Sequence, residues 1–324
     1  MLEIFVFGAG ASHVSGQTPL GKDLVWRYYD DFSPWSRIEL SDVERKERYE
    51  QFKCFKKFLE RIEIRFPELH VIAKKFDDTI KIDGSFDPDV KKPYYIDEIM
   101  ERFVLEDKYR EDIQLIRKLT AEHIYKASLS CNNLFYRRFV KSLKDKSKEN
   151  VSIISFNFDC LLKDDLDEKI FFDYCIDFDE IDSRRCFYKS TNGIQMPLLK
   201  LHGSLDWKFN RDSITLLPTE WYAGLGGEPH IFLAHEKAVQ KMKNLWNYAA
   251  RNLQLAERIT FIGYSLPLYD KDATKLFKDN VRNGVIIKVV DKSKDTYNRF
   301  AKLFDKQKME FVECDIKNFV LETV

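Results

Sequence analysis

Apolar and polar positions fall in blocks along this chain, and each block has its own period. Leu2 to Phe7 is apolar except for Glu3 and is closed by Gly8-Ala9-Gly10-Ala11-Ser12, with Gly16-Gln17-Thr18-Pro19-Leu20 four residues on. A short apolar run ending in glycines predicts a buried strand, a tight turn and a helix start. Leu20 to Asp31 reads as a helix. Over residues 41–66, Tyr49, Phe52, Phe55 or Phe58, Leu59 and Ile62 recur at helical spacing. A polar stretch with Pro and Gly, Asp77 to Pro93, interrupts the pattern. It resumes through Ile96, Met100, Phe103, Ile113, Ile116, Leu119 and Ile124, and again over Leu134 to Leu143. Residues 32–150 are therefore expected to be mostly helical.

A charged turn, Lys141 to Asn150, ends that region, and Val151 to Ser155 is a β-prone run. Strands and helices then alternate. Strands are expected at Ile170–Tyr174, Leu198–His202, Ile259–Gly263, Val285–Val290 and Met309–Val312, with helices at Glu236–Glu257, Asp270–Asn283 and Lys292–Phe304. Alternation of this kind predicts an α/β fold with parallel strands and crossover helices. Residues 1–31 and 151–324 would form the sheet domain, and 32–150 a large helical insertion within it.

Composition narrows the partners. The 324 residues carry 53 basic and 53 acidic side chains, so no net field draws in nucleic acid or an anionic membrane. With 26 Phe and 15 Tyr against 12 Gly and 9 Pro, the chain is a packed globular one. Its six cysteines include no CxxC pair, Gly8 breaks the N-terminal apolar run, and no run approaches the roughly 18 apolar residues of a membrane span. A soluble, cytoplasmic protein with reduced thiols is expected.

Open parallel sheets bind ligands outside the carboxyl ends of their strands. Four such ends carry small or polar residues: Gly8 to Ser12, Asn157-Phe158-Asp159, His202-Gly203-Ser204, and Gly263-Tyr264-Ser265 with Pro267 and Asp270 beyond. Each has a structural reading as well. Asn157 could cap a helix, His202 could be a satisfied core histidine, and Gly263 to Pro267 could be a corner. The first turn also departs from the dinucleotide fingerprint: His13 stands at the third glycine of GxGxxG, and no acidic residue closes a second strand about 20 residues on.

GAGAS, NFD, LHGS and GYS, in this order and at strand ends, resemble the sirtuin-like NAD-binding family. The resemblance covers residues 1–21 and most of 151–315. It implies a Rossmann-like sheet that binds NAD, with Gly8, Ala9, Gly10 and Ser12 at the diphosphate and Pro19 in the flexible cofactor loop. Asn157, Asp159 and His202, followed by Gly203 and Ser204, would meet the nicotinamide half. Gly263 and Ser265 would line the diphosphate and adenosine-ribose path. Asp291 would stand at a ribose, and Cys314 with Asp315 at the adenine edge, although an Asp after a strand also serves as a turn or helix cap.

The same resemblance implies chemistry at the N-glycosidic bond of NAD, which expels neutral nicotinamide and leaves an oxocarbenium-like ribose. Asn157 would orient water or ribose hydroxyls, Asp159 would grip the carboxamide, and His202 would act as general base. Deacylases of the family hold a zinc module on two CxxC pairs after the HG motif. Here Cys160, Cys175 and Cys186 precede His202, so no zinc is expected. No counterpart of a peptide-holding strand is evident, which leaves water as acceptor and NAD as a substrate to be hydrolysed. The chain thus resembles bacterial sirtuin-like NADases that deplete NAD during phage infection, which act with a fused or separate sensor. Self-assembly or a separately encoded sensor protein is the expected partner. A deacylase or ADP-ribosyltransferase and a noncatalytic NAD or ADP-ribose sensor are the alternatives.

Overall fold

Strand β1 (Leu2–Phe7) is where the order of strands reverses, later strands adding on either side of it. Ile4, Phe5, Val6 and Phe7 are fully buried, as the near-continuous apolar pattern of a strand covered on both faces requires. Parallel to it lie β2 (Val151–Ser155) on one side and β8 (Ala256–Ile262) on the other. Beyond β2 come β5 (Ile194–Lys200) and β3 (Ile170–Asp173); beyond β8 come β9 (Ile286–Asp291) and β10 (Lys308–Glu313). The order β10-β9-β8-β1-β2-β5-β3 is parallel throughout. With the flanking helices, it is the α/β architecture that the alternation predicts and the Rossmann-like sheet that the resemblance implies.

The computed structural model describes residues 2–16, 110–129, 132–143, 150–164, 170–176, 178, 180–181, 194–210, 213–216, 240–268 and 270–319. The helices expected at Leu20–Asp31 and over 41–66, and the positions from Ile96 to Phe103, lie outside these residues. By contact density the chain divides into one unit of Met1–Leu20 with Thr120–Val324 and a second of Gly21–Leu119.

Register places the strand ends in one row. Val312, Val290, Ile262, Phe7, Ser155 and Lys200 pair in succession across six strands. The residues that follow them are Glu313, Asp291, Gly263, Gly8, Phe156 and Leu201. The motifs read from sequence therefore begin at one level of the sheet. The reversal of strand order at β1 opens a crevice at that edge.

Helix α1 (Ala9–Gly16) leaves β1 directly. Helices α2 (Arg110–Leu129) and α3 (Leu134–Ser142) carry the helical spacing of Ile113 to Ile124 and of 134–143. Phe135, Tyr136, Phe139 and Val140 of α3 are buried, and the Phe139 ring meets Phe5 and Phe7 edge-on at 5.0 and 4.9 Å. After the short α4 (Leu161–Asp164), helices α5 (Gln240–Leu255), α6 (Lys271–Asn280) and α7 (Lys294–Leu303) alternate with β8 to β10. Phe261 of β8 packs on Phe277 of α6 and Phe300 of α7 at 5.0 and 4.3 Å. A second sheet, which the sequence pattern does not predict, joins β4 (Glu180–Ile181), β7 (Ser213–Leu216) and β6 (Trp207–Asn210) in the order β4-β7-β6. Trp207 is fully buried there against Tyr174, ring centroids 5.2 Å apart.

Phe139→Ala should cost about 3–5 kcal/mol, the usual range for removing a buried aromatic side chain. A guanidinium titration is expected to show a lower midpoint with an unchanged slope.

Candidate functional site

The glycines of the first turn are required by the neighbouring backbone. Gly8 N–H donates to Ile262 O at 3.2 Å and Gly10 N–H to Gly263 O at 3.0 Å, so the end of β1 is bonded to the end of β8. A Cβ on Gly8 would stand 2.5 Å from Tyr264 Cα, and one on Gly263 would stand 2.4 Å from Ala11 N. Gly263 also has φ +61°, a region that favours glycine. Two amides that an anion could have used are thus spent inside the protein. Ala9 stands exposed at the first position of α1.

Asn157 reaches across this turn. It is 6% exposed, and its Nδ2 donates to Gly8 O at 2.9 Å and Ser12 Oγ at 2.8 Å, with Tyr136 OH at 3.3 Å. Ser12 Oγ and Tyr136 OH are themselves 2.9 Å apart. Because a carbonyl can only accept, Gly8 O fixes the amide with nitrogen inward. Oδ1 is then left buried without a hydrogen-bond partner among the described residues. Such an atom calls for a ligand or water. Asn157 is not the helix cap. That task falls to Asp159, whose Oδ1 accepts Leu161 N–H at 3.1 Å just before α4.

His202 lies two residues beyond β5, on the other side of Phe156. Its ring meets Phe156 edge-on at 5.0 Å, and Phe156 stacks on Tyr264 at 4.5 Å and 15°. His202 Nε2 is 3.4 Å from Asp270 Oδ2, an ion-pair separation longer than a hydrogen bond. Asp270 is 1% exposed; it caps α6 by accepting Ala273 N–H at 3.1 Å and accepts Tyr264 OH at 3.1 Å. Burial alone would raise its pKa. The charge of the nearby His202, with the Ala273 and Tyr264 donors, outweighs burial and holds the carboxyl below its usual range.

Around these two clusters the loops are tied down. Lys200, 2% exposed, donates from Nζ to Phe158 O at 3.2 Å and to Asp159 O. Gly203, at φ +83°, donates its N–H to Lys200 O at 3.2 Å, and fully buried Ser204 places Oγ 3.6 Å from Cys160 Sγ. Ser265 is exposed, and its carbonyl accepts Arg299 Nε–H at 2.8 Å.

The outer carboxylates serve local turns. Asp291 Oδ1 accepts Ser293 N–H at 2.8 Å; burial pushes this carboxyl up, opposed by the Ser293 N–H and the Arg299 and Lys292 charges. Asp315 caps a short 3-10 turn, Ile316–Asn318, by accepting Lys317 N–H at 3.2 Å, and pairs with Lys317 Nζ at 3.1 Å. Desolvation of Asp315 is outweighed by Lys317, which lowers its pKa. Pro19 and the 17–21 loop lie outside the described residues. Among the described residues, no group of three or more His, Cys, Asp or Glu could hold a metal ion, and no helix is long and apolar enough to cross a membrane.

The structure therefore joins Gly8, Ser12 and Asn157 in one cluster, sets His202 beside it through Phe156, and keeps Asp291 and Asp315 at the β9–β10 end. Sequence reasoning missed Tyr136, Lys200, Tyr264 and the pairing of Asp270. Lys200 and Tyr264 lie inside or beside motifs that were read, so their position was a usable signal.

No family model matches the chain, and no curated protein matches it. Among solved structures it is similar to a mutant Sir2 homologue in complex with 2'-O-acetyl ADP ribose, at 13% identity over 98% of this chain and 87% of that chain, TM-score 0.48. Sir2Tm bound to a propionylated peptide matches at 11% identity, covering 98% and 90%, TM-score 0.46. A Sir2 homolog–NAD complex matches at 11%, covering 98% and 85%, TM-score 0.45.

Gly263→Ala should destabilise the fold by at least about 1–3 kcal/mol from its backbone conformation alone, with the clash at Ala11 N added. Thermal unfolding by circular dichroism would show the fall, and an unchanged midpoint would refute the close-approach account.

Proposed function

We propose that this chain is a sirtuin-like enzyme that binds NAD as substrate and hydrolyses its N-glycosidic bond to nicotinamide and ADP-ribose. The observation that carries the reading is the buried Oδ1 of Asn157, without a partner among the described residues, at the switch point of the sheet, with a histidine–carboxylate pair one aromatic ring away. Gly8, Ala9, Gly10 and Ser12 would lie along the diphosphate; with the Gly8 and Gly10 amides bonded to β8 and its following residue, the exposed start of α1 at Ala9 would offer the partial positive charge. Gly263, Ser265, Asp291 and Asp315 would follow the adenosine half.

The chemistry asks little of the protein beyond position. Attack of water at the ribose C1′ accompanies departure of the C1′–N bond pair to the pyridinium nitrogen, which makes nicotinamide a neutral leaving group. Asn157 Oδ1 accepts a hydrogen bond from the water or a ribose hydroxyl. His202 receives the proton that the water loses. Asp159 would turn its remaining carboxylate oxygen toward the carboxamide, and Gly203 and Ser204 fix the loop that presents His202.

Asn157→Ala and His202→Ala are each expected to lower nicotinamide release from NAD by about 100-fold or more, with folding retained by circular dichroism. Unchanged turnover in both would refute the site. Release that depends on an acylated peptide would instead indicate a deacylase, and NAD binding without turnover a sensor.

Antiphage NAD depletion fits the same reading, with activity gained by self-assembly or by docking a separately encoded sensor protein. Within 32–150, the part before Thr120 would supply the contact, since its amphipathic helical pattern is not used by the strand-end motifs, whereas Phe139 packs on Phe5 and Phe7 and Tyr136 joins the Asn157 cluster. Light scattering alongside turnover tests this. Activity should rise with oligomer mass or with the added partner, and a monomer at full turnover would overturn it.

A further inference from the structure

The Asp270 carboxylate does more than end a loop. It caps α6 through Ala273 N–H, and Oδ2 accepts Tyr264 OH and stands 3.4 Å from His202 Nε2 as an ion pair. A cap alone needs neither burial to 1% exposure nor a second donor, and Ser or Asn would cap as well. A buried carboxylate kept beside one imidazole is a costly arrangement unless its charge is used.

We propose that Asp270 is a positioning residue for His202: its carboxylate orients the imidazole and stabilises the imidazolium formed when His202 takes a proton, with Tyr264 holding the carboxylate in place. The kinetic part of this inference rests on the NAD-hydrolysis reading. The pairing part rests on the geometry alone. In the hydrolytic step the proton passes from water to His202, the electron pair of the C1′–N bond leaves with nicotinamide, and Asp270 remains ionised throughout. Its lowered pKa agrees with that constant charge.

The fixed surroundings of His202 isolate the effect. Tyr264 and Asp270 come from the segment between β8 and α6; Asp159 of the loop after β2 spends Oδ1 on Leu161 N–H. Lys200, on the strand that leads to His202, is bound to the Phe158 and Asp159 carbonyls. From α5, Trp246 Nε1 donates to Leu201 O at 3.1 Å, and its ring lies 6.4 Å from that of His202. Among the described residues, Asp270 is thus the charge that Asn or Ser would remove while keeping the cap.

Two variants of the full chain, Asp270→Asn and Asp270→Ser, test this with two readouts. The first is the His202 imidazole titration followed by nitrogen-15 NMR, assigned with His202→Gln; the second is the pH profile of nicotinamide release. Both variants should shift the His202 midpoint to lower pH and reduce kcat by about 100-fold with little change in KM, and Asp270→Glu should recover part of each. An unshifted His202 midpoint in both variants overturns the proposal, whether or not turnover falls. A shifted midpoint in a protein that never releases nicotinamide supports the pairing and refutes the NAD-hydrolysis reading instead.

Discussion

Everything at the carboxyl edge of this sheet depends on two backbones touching. The amides of Gly8 and Gly10 reach the carbonyls of Ile262 and Gly263, and no side chain fits between them. That contact sets the start of α1 against the end of β8. It also leaves Gly8 O pointing toward β2, where Asn157 can find it. Ile316 completes the packing, since a Cβ on Gly263 would stand 2.8 Å from its Cδ1. Three strand ends and the turn after β10 are therefore locked by one close approach.

The lock makes Asn157 a directed group. Its two N–H bonds are shared among Gly8 O, Ser12 Oγ and Tyr136 OH, so rotating the amide would set a carbonyl against a carbonyl. Without a partner among the described residues, Oδ1 carries a desolvation cost on the order of 1–3 kcal/mol that a bound ligand or water recovers. A site that stores such a cost gains specificity for a partner able to donate. Tyr136 matters here because it comes from α3, whose Phe139 is anchored on Phe5 and Phe7. The apolar face of that helix is what holds a hydroxyl in the polar network.

Much of the frame was legible in the sequence, and the reason is periodic pattern. Strand runs such as Ile4 to Phe7 and Ile153 to Ile154 are buried on both faces, so their composition betrays them. Their ends carry the motifs because parallel register aligns the ends. The small sheet escaped because β4, β6 and β7 are two to four residues long, too short to show alternation. A capping role was open to Asn157, and the structure gives the N–H of the first residue of α4 to Asp159 instead. Cap and ligand-facing amide use the same residue types at the same turn. The outer Asp291 and Asp315 follow the turn and cap chemistry that an Asp after a strand carries.

Pairing of distant side chains was the least legible feature, and its cause is topological. Asp270 and His202 follow β8 and β5, strands separated in the sheet by β1 and β2. Neither sequence spacing nor local propensity reports that a loop from one side arches over to meet the other. Aromatic packing bridges that span: Phe156 stands between Tyr264 and His202, so the residue that precedes Asn157 also sets the distance between the two polar clusters. Swapping Phe156 for a smaller residue would loosen both at once. The apolar ring is thus as much a determinant of the site as the groups that could do chemistry in it.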